Sequence, residues 1–111
     1  MALTGKRIVI TGGAGILGQG VARAAQSQGA DVVLLDVVSD TTELVGNLIQ
    51  VDLADSASLQ SCFTQIGDFD VLANIAGGFA MGPAVYETED ELWDAMFSIN
   101  VTTLRRVLNE A

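Results

Sequence analysis

Arg7-Ile8-Val9-Ile10-Thr11-Gly12-Gly13-Ala14-Gly15-Ile16-Leu17-Gly18 is the stretch that decides the fold. The β-branched run Ile8 to Ile10 reads as a buried strand that passes without a spacer into glycines and then into a helical pattern. Gly13, Gly15 and Gly18 fit Gly-x-Gly-x-x-Gly, a spacing that lets main-chain amides approach a pyrophosphate at a helix N-terminus. There the unpaired first-turn N–H groups and the positive end of the helix dipole face the anion. A side chain at the close-approach glycine would fill the ligand's space. The plainer alternative is a glycine turn that only lets the helix pack tightly on its strand; the strand before it and the helix after it favour the anion site.

Working outward, Leu17, Val21, Ala24 and Ala25 fall at i, i+4, i+7 and i+8, one apolar stripe of a helix that Gly29 would close. Asp31-Val32-Val33-Leu34-Leu35-Asp36 follows as a second strand, continuous in hydrophobicity as a strand buried on both faces should be. Asp36 stands at its end, near the spacing after Gly18 expected of an acid that holds an adenosine ribose. Its carboxylate can accept hydrogen bonds from both ribose hydroxyls while repelling a 2'-phosphate. No arginine stands at Val37 or Val38 to reverse that preference, so NAD is expected over NADP. A strand-ending Asp is also a common turn former.

Val38 to Asn47 is polar and short, which predicts a turn or a single helical turn. Leu48 to Val51 reads as a third strand ending at Asp52. Asp55 or Ser56 can cap the next helix, in which Leu59, Cys62, Phe63 and Ile66 form one stripe before Gly67. Cys62 on that stripe is a core thiol and not a nucleophile. A fourth strand, Asp70 to Ile75, runs into Ala76-Gly77-Gly78, and Phe79 to Glu87 reads as a loop. Thr88-Glu89-Asp90-Glu91 is a capping box, beyond which Leu92, Met96, Ile99 and Thr103 share a face widened by Trp93, Phe97, Leu104 and Leu108. The acids from Glu87 to Asp94 suit a solvated helix start and no metal. With right-handed crossovers, this alternation predicts an α/β fold: one Rossmann-type open parallel sheet over residues 1–111, strand order 3-2-1-4. A dinucleotide crevice would lie between strands 1 and 4.

Composition narrows the partners. The chain has 111 residues, half of them hydrophobic, with a mean hydropathy of +0.43. That suits one domain whose sheet is covered on both faces. Fourteen acidic against five basic residues give a net charge of -9, so nucleic acid would be repelled at long range. No apolar run reaches the length of a membrane span and no leader pattern opens the chain, so a cytoplasmic address is expected. Cys62 is the only cysteine, which leaves no internal disulfide or cysteine-rich metal site, and histidine is absent.

Several stretches together resemble the short-chain dehydrogenase/reductase family: Thr11 to Gly18, Asp36, Val51-Asp52-Leu53, Asn74-Ile75-Ala76-Gly77 and Ser98-Ile99-Asn100-Val101, in the family's order and separations. The resemblance implies that Gly12, Gly15 and Gly18, with Ile16 and Leu17, line the pyrophosphate turn and that Asp36 holds the adenosine ribose. It places Asp52 and Leu53 beside the adenine, the acid accepting from its amino group. Asn74, Ala76 and Gly77 would support the central sheet and pass beside the cofactor riboses. Asn100 would position a water in the proton relay. The spacing of Gly12, Gly15 and Gly18 is that of the family's extended subgroup, whereas Asn74 to Gly77 matches the commoner short one, so the subgroup and the substrate stay open.

The family's chemistry uses a Tyr-x-x-x-Lys pair and a preceding serine, the tyrosine as general acid or base and the lysine lowering its pKa and holding the nicotinamide ribose. The sole tyrosine here, Tyr86, is followed four places later by Asp90, and the sole lysine is Lys6. Ser98 is a helical serine that does not replace the missing one. The chain therefore reads as the cofactor-binding front half of an oxidoreductase acting on a carbonyl/alcohol pair, with no turnover expected from it alone. The alternative is a non-catalytic nucleotide-binding or self-assembling module. A methyltransferase is weaker, because Thr11 stands where such enzymes place an acid, and a nucleoside triphosphatase weaker still without Gly-Lys-Ser/Thr. A sheet ending at strand 4 would have an unpaired edge, so a homo-oligomer or a complementing C-terminal half is the expected partner.

Overall fold

The computed structural model describes residues 1–39, 42–76 and 103–110. Strands β1 (Arg7–Thr11), β2 (Asp31–Asp36), β3 (Asn47–Gln50) and β4 (Val71–Asn74) form one sheet of order β3-β2-β1-β4. Every pairing is parallel. Helices α1 (Ile16–Ser27), α2 (Ser56–Ile66) and α3 (Thr103–Glu110) complete the described elements. The expected class and strand order hold, with strand bounds shifted by a residue or two. Register sets Thr11 opposite Leu35 and Asn74, and Asp36 opposite Gln50, so the strand ends form one rim.

The strands are apolar runs because both faces of the sheet are covered. Alternation sends Ile8, Ile10, Val32 and Leu34 to one face, where they bury Ala22 and Ala25 of α1. Val9, Val33 and Leu35 go to the other, against Leu59, Cys62, Phe63 and Ile66 of α2 and Val107 of α3. Burial raises the Cys62 thiol pKa and keeps it protonated, consistent with a core role.

Two helix faces differ from expectation. The buried face of α1 is Gly18, Gln19, Ala22 and Ala25, while Leu17 is 66% exposed and Ala24 lies outside. The helical period fixes angles between residues but not the absolute phase; here the phase is set by Gly18, which must face the preceding turn. On α3, Val107 is buried and Leu108 is exposed, because the helix meets α2 through Val107. Arg106 Nη1 adds a bond to the Ala54 carbonyl at 2.7 Å.

Between β2 and β3, residues 42–46 form turns, with Glu43 at φ +63° and Gly46 at +101°. The loop and capping box placed over 79–91, and Gly77, Tyr86, Ser98 and Asn100, lie outside the described residues.

Two polar devices hold the lower parts together. Arg7, at the end of β1 away from the rim, donates through Nε to Asp31 Oδ2 at 2.8 Å and through Nη1 to the Ile66 carbonyl at 2.6 Å, closing the last turn of α2. Its backbone N–H donates to Asp70 Oδ2 at 2.8 Å. At the start of α2, Asp55 is the N-cap: Oδ1 accepts from the amides of Ala57 and Ser58, and Oδ2 from the Ser58 hydroxyl at 2.9 Å. The Ser58 hydroxyl and amide hold the Asp55 carboxyl below its ordinary 3.8. A depressed folded value means that the cap stabilises fully above the unfolded carboxylate range and fades as pH falls through the folded value. Asp55→Ala is therefore expected to lower Tm at pH 7, with the gap to the parent closing below about pH 4. Thermal melts across that range check it, and a gap independent of pH would contradict the cap's charge.

Candidate functional site

The rim is built where β1 turns into α1. Thr11 is buried, and its hydroxyl accepts the Ala76 N–H at 3.2 Å, tying the ends of β1 and β4 together. Gly12 adopts φ +68°, and a Cβ there would lie 2.9 Å from the backbone of Ala76. Only glycine meets both demands. A Cβ on Gly18 would overlap the Gly12 carbonyl oxygen, so α1 begins as close to the turn as backbone allows. Gly13 packs against β2, where a Cβ would come within 2.6 Å of the Leu34 side chain. Of the glycines that fit Gly-x-Gly-x-x-Gly, Gly13 thus serves packing, whereas Gly12, Gly15 and Gly18, the set the family resemblance assigns to the turn, line the cleft.

Gly15 differs from its neighbours. It is the N-cap of α1 in extended conformation, and a Cβ there would meet nothing nearer than the Gly12 oxygen at 3.5 Å. Among the described residues nothing requires glycine at this point. No described side chain caps α1, and its first-turn residues Ile16, Leu17 and Gly18 line a cleft of about 630 Å³. Ile16 is 96% exposed there. A helix start left open to a cleft is a standing attraction for an anion.

The other walls come from the ends of the remaining strands: Leu35, Asp36 and Val37 after β2, Asp52, Leu53 and Ala54 after β3, and Ile75 and Ala76 after β4. The Asp36 carboxylate accepts from the Val37 amide at 2.7 Å through Oδ1 and from the Ala14 amide at 3.1 Å through Oδ2. Asp52 is exposed, and its Oδ1 accepts the Ala54 N–H at 2.9 Å, shaping the turn that leads to α2. Leu53 touches the cleft only in part, since its side chain is buried in the core beside Val51 and Leu59. Among the described residues no lysine or arginine lines the cleft. Any anion bound there would rely on main-chain amides and the helix dipole.

The structure thus brings Gly12, Gly15, Ile16, Leu17, Gly18, Asp36, Asp52, Leu53 and Ala76 to one cleft. Asn74 does not line it; it ends β4 opposite Thr11. Gly77 and Asn100 lie outside the described residues. Sequence reasoning missed Gln19 and the role of Thr11. Gln19 had a signal: it is a polar residue on the small-residue face of α1, where burial demands partners.

A family model described as short chain dehydrogenase matches residues 6–111. The chain belongs to the short chain dehydrogenase family. It is 33% identical to D-xylose 1-dehydrogenase of Caulobacter vibrioides over 110 residues, covering 90% of this chain and 44% of that protein. A short chain dehydrogenase structure from Mycobacterium smegmatis matches with a TM-score of 0.84 at 28% identity, covering 98% of this chain and 52% of that one. The structure of an NADH-dependent reductase complexed with NAD matches with a TM-score of 0.83 at 27% identity, covering 98% and 51%. The chain spans about half the length of the relatives it matches.

Proposed function

We propose that the cleft binds a nicotinamide adenine dinucleotide, NAD in preference to NADP, and that the chain is the cofactor-binding portion of an oxidoreductase acting on a carbonyl/alcohol pair. The observation that carries this is the space in front of Gly15: among the described residues there is room for a side chain at the mouth of α1, yet the position holds glycine and faces amides that no described side chain caps. A diphosphate would use that space. The likeness to a reductase solved with NAD supports the choice of ligand.

In this reading the first-turn amides of α1 hold the diphosphate, and Asp36 accepts from the adenosine ribose hydroxyls. The Asp36 charge and the absence of a lysine or arginine along the described cleft wall disfavour a 2'-phosphate. Asp52 faces the adenine amino group with Leu53 at its edge. Ala76, with Asn74 supporting the sheet, runs beside the nicotinamide half, and the family resemblance alone gives Gly77 a place in the same segment and Asn100 a part in proton transfer. When bound, the nicotinamide supplies or takes the hydride. Lys6 precedes β1 at the end of the sheet opposite the cleft, so it cannot pair with a tyrosine there, and the reading assigns this chain binding without turnover of its own.

Calorimetry and thermal melts with NAD and NADP test the proposal. NAD should bind and raise Tm more than NADP does; no shift with either ligand ends it. Gly15→Ala is expected to cost at most about 1 kcal/mol of stability while weakening NAD about tenfold, the penalty of a methyl group in the diphosphate's space.

A second reading draws on the free side of β4. No described strand pairs there, and Val71 is 45% exposed. A cytoplasmic module that assembles as a homo-oligomer, or around a complementing C-terminal half, would cover that edge. Sedimentation at micromolar concentration separates the cases, since a compact monomer counts against self-assembly.

A further inference from the structure

The peptide between Gly13 and Ala14 is held from both sides. Its carbonyl accepts from Gln19 Nε2 at 2.8 Å, and its N–H donates to Asp36 Oδ2 at 3.1 Å. Rotating that plane would break both bonds. Gln19 is 5% exposed, and the rest of its amide is also engaged: Nε2 donates to the Val45 carbonyl at 3.1 Å, and Oε1 accepts the Val45 N–H at 2.8 Å. Val45 lies on the link between β2 and β3, the same link that Asp36 opens. One buried side chain therefore fastens the glycine turn to the far end of the segment that carries the ribose acid.

The surroundings make this residue type informative. Gln19 shares its face with Gly18, Ala22 and Ala25, where an apolar side chain would bury without needing hydrogen-bond partners. We propose that Gln19 is a positioning residue of the cleft: by fixing the Gly13–Ala14 peptide, it holds the Asp36 carboxylate in the orientation that accepts the adenosine ribose and excludes a 2'-phosphate. The inference rests on the dinucleotide reading above. The carboxylate is fixed by two amides, Val37 on Oδ1 and Ala14 on Oδ2. With Gln19 removed, the Ala14 amide is free to turn away, and Asp36 keeps only the Val37 contact about which it can swing.

Gln19→Met keeps the length of the side chain and removes all three of its hydrogen bonds. Calorimetric Kd values for NAD and NADP, taken well below the Tm of parent and variant, give the discrimination ratio. The variant should bind NAD about tenfold more weakly with NADP changed by less than about twofold, narrowing the ratio about tenfold. A strut that only stabilises the fold would lower Tm and leave the ratio alone. A folded variant whose ratio is unchanged, next to a parent that binds NAD, overturns this inference and leaves the dinucleotide reading intact. A parent that binds neither ligand overturns both. Should Gln19→Met not fold, amide exchange in the parent decides: protection of the Ala14 N–H that is lost in Asp36→Ala supports the clamp, and exchange at the unprotected rate in the parent overturns it.

Discussion

Valine at position 18 is expected to abolish the native fold. A Cβ there collides with the Gly12 carbonyl oxygen and approaches Gly13 Cα to 2.8 Å, and both are backbone atoms. Neither can yield. Gly12 is fixed at φ +68° with its own Cα turned to the backbone of Ala76, and its N–H donates to the Leu35 carbonyl at 2.8 Å. Relief would require lifting α1 from the sheet, which uncovers Ala22 and Ala25 and the β1 and β2 side chains beneath them. Overpacking against backbone costs about 3 kcal/mol or more, a large part of the roughly 5–15 kcal/mol that holds a domain together. Urea denaturation followed by circular dichroism would show the loss, and a native midpoint for Gly18→Val would mean that α1 does not sit where it is described. The contrast with Gly15→Ala is the sharper test, because two glycines three residues apart should respond for different reasons: the first substitution strikes the fold, and the second leaves the fold and weakens NAD about tenfold.

Asp36→Ala is the second large change, and it acts on the ligand. A hydrogen bond to a charged group contributes about 1.5–3 kcal/mol, so loss of the ribose contact should weaken NAD by roughly ten- to a hundredfold. NADP should lose little, since the variant also removes the repulsion of its 2'-phosphate. The fold should survive: Asp36 lies at the end of β2, and its partners are the Val37 and Ala14 amides near the rim. Competition calorimetry with both dinucleotides reads the effect. Equal affinity of parent and variant for NAD would remove Asp36 from the ribose site.

Much of this was legible in the sequence because burial on both faces leaves a simple mark. Ile8 to Ile10 and Val32 to Leu35 could be read as strands without knowing their neighbours, and the strand order followed from connection rules. That an acid closes the second strand at the cleft was legible too, because Asp36 ends the apolar run Val32 to Leu35. What escaped was phase and contact. Spacing alone could not tell that Gly13 packs on Leu34 while Gly15, among the described residues, leaves room for a side chain, since both fit one motif. Leu17 looked like a core residue because a helical stripe carries no absolute angle. Leu53, placed by family resemblance at the adenine, proves to be mostly a core side chain, because it follows the exposed Asp52 by a single residue and turns inward. The amide of Gln19 has meaning only once Gly13 and Val45 are brought beside it.

The three bonds of Arg7 sit at the foot of the sheet, roughly 15–17 Å down a five-residue strand from the glycine turn. Grip and ballast are thus housed at opposite ends of the same strand. Sequence drift or deliberate redesign around Arg7, Asp31 and Asp70 would make the molecule hardier or frailer while leaving the mouth of the cleft untouched.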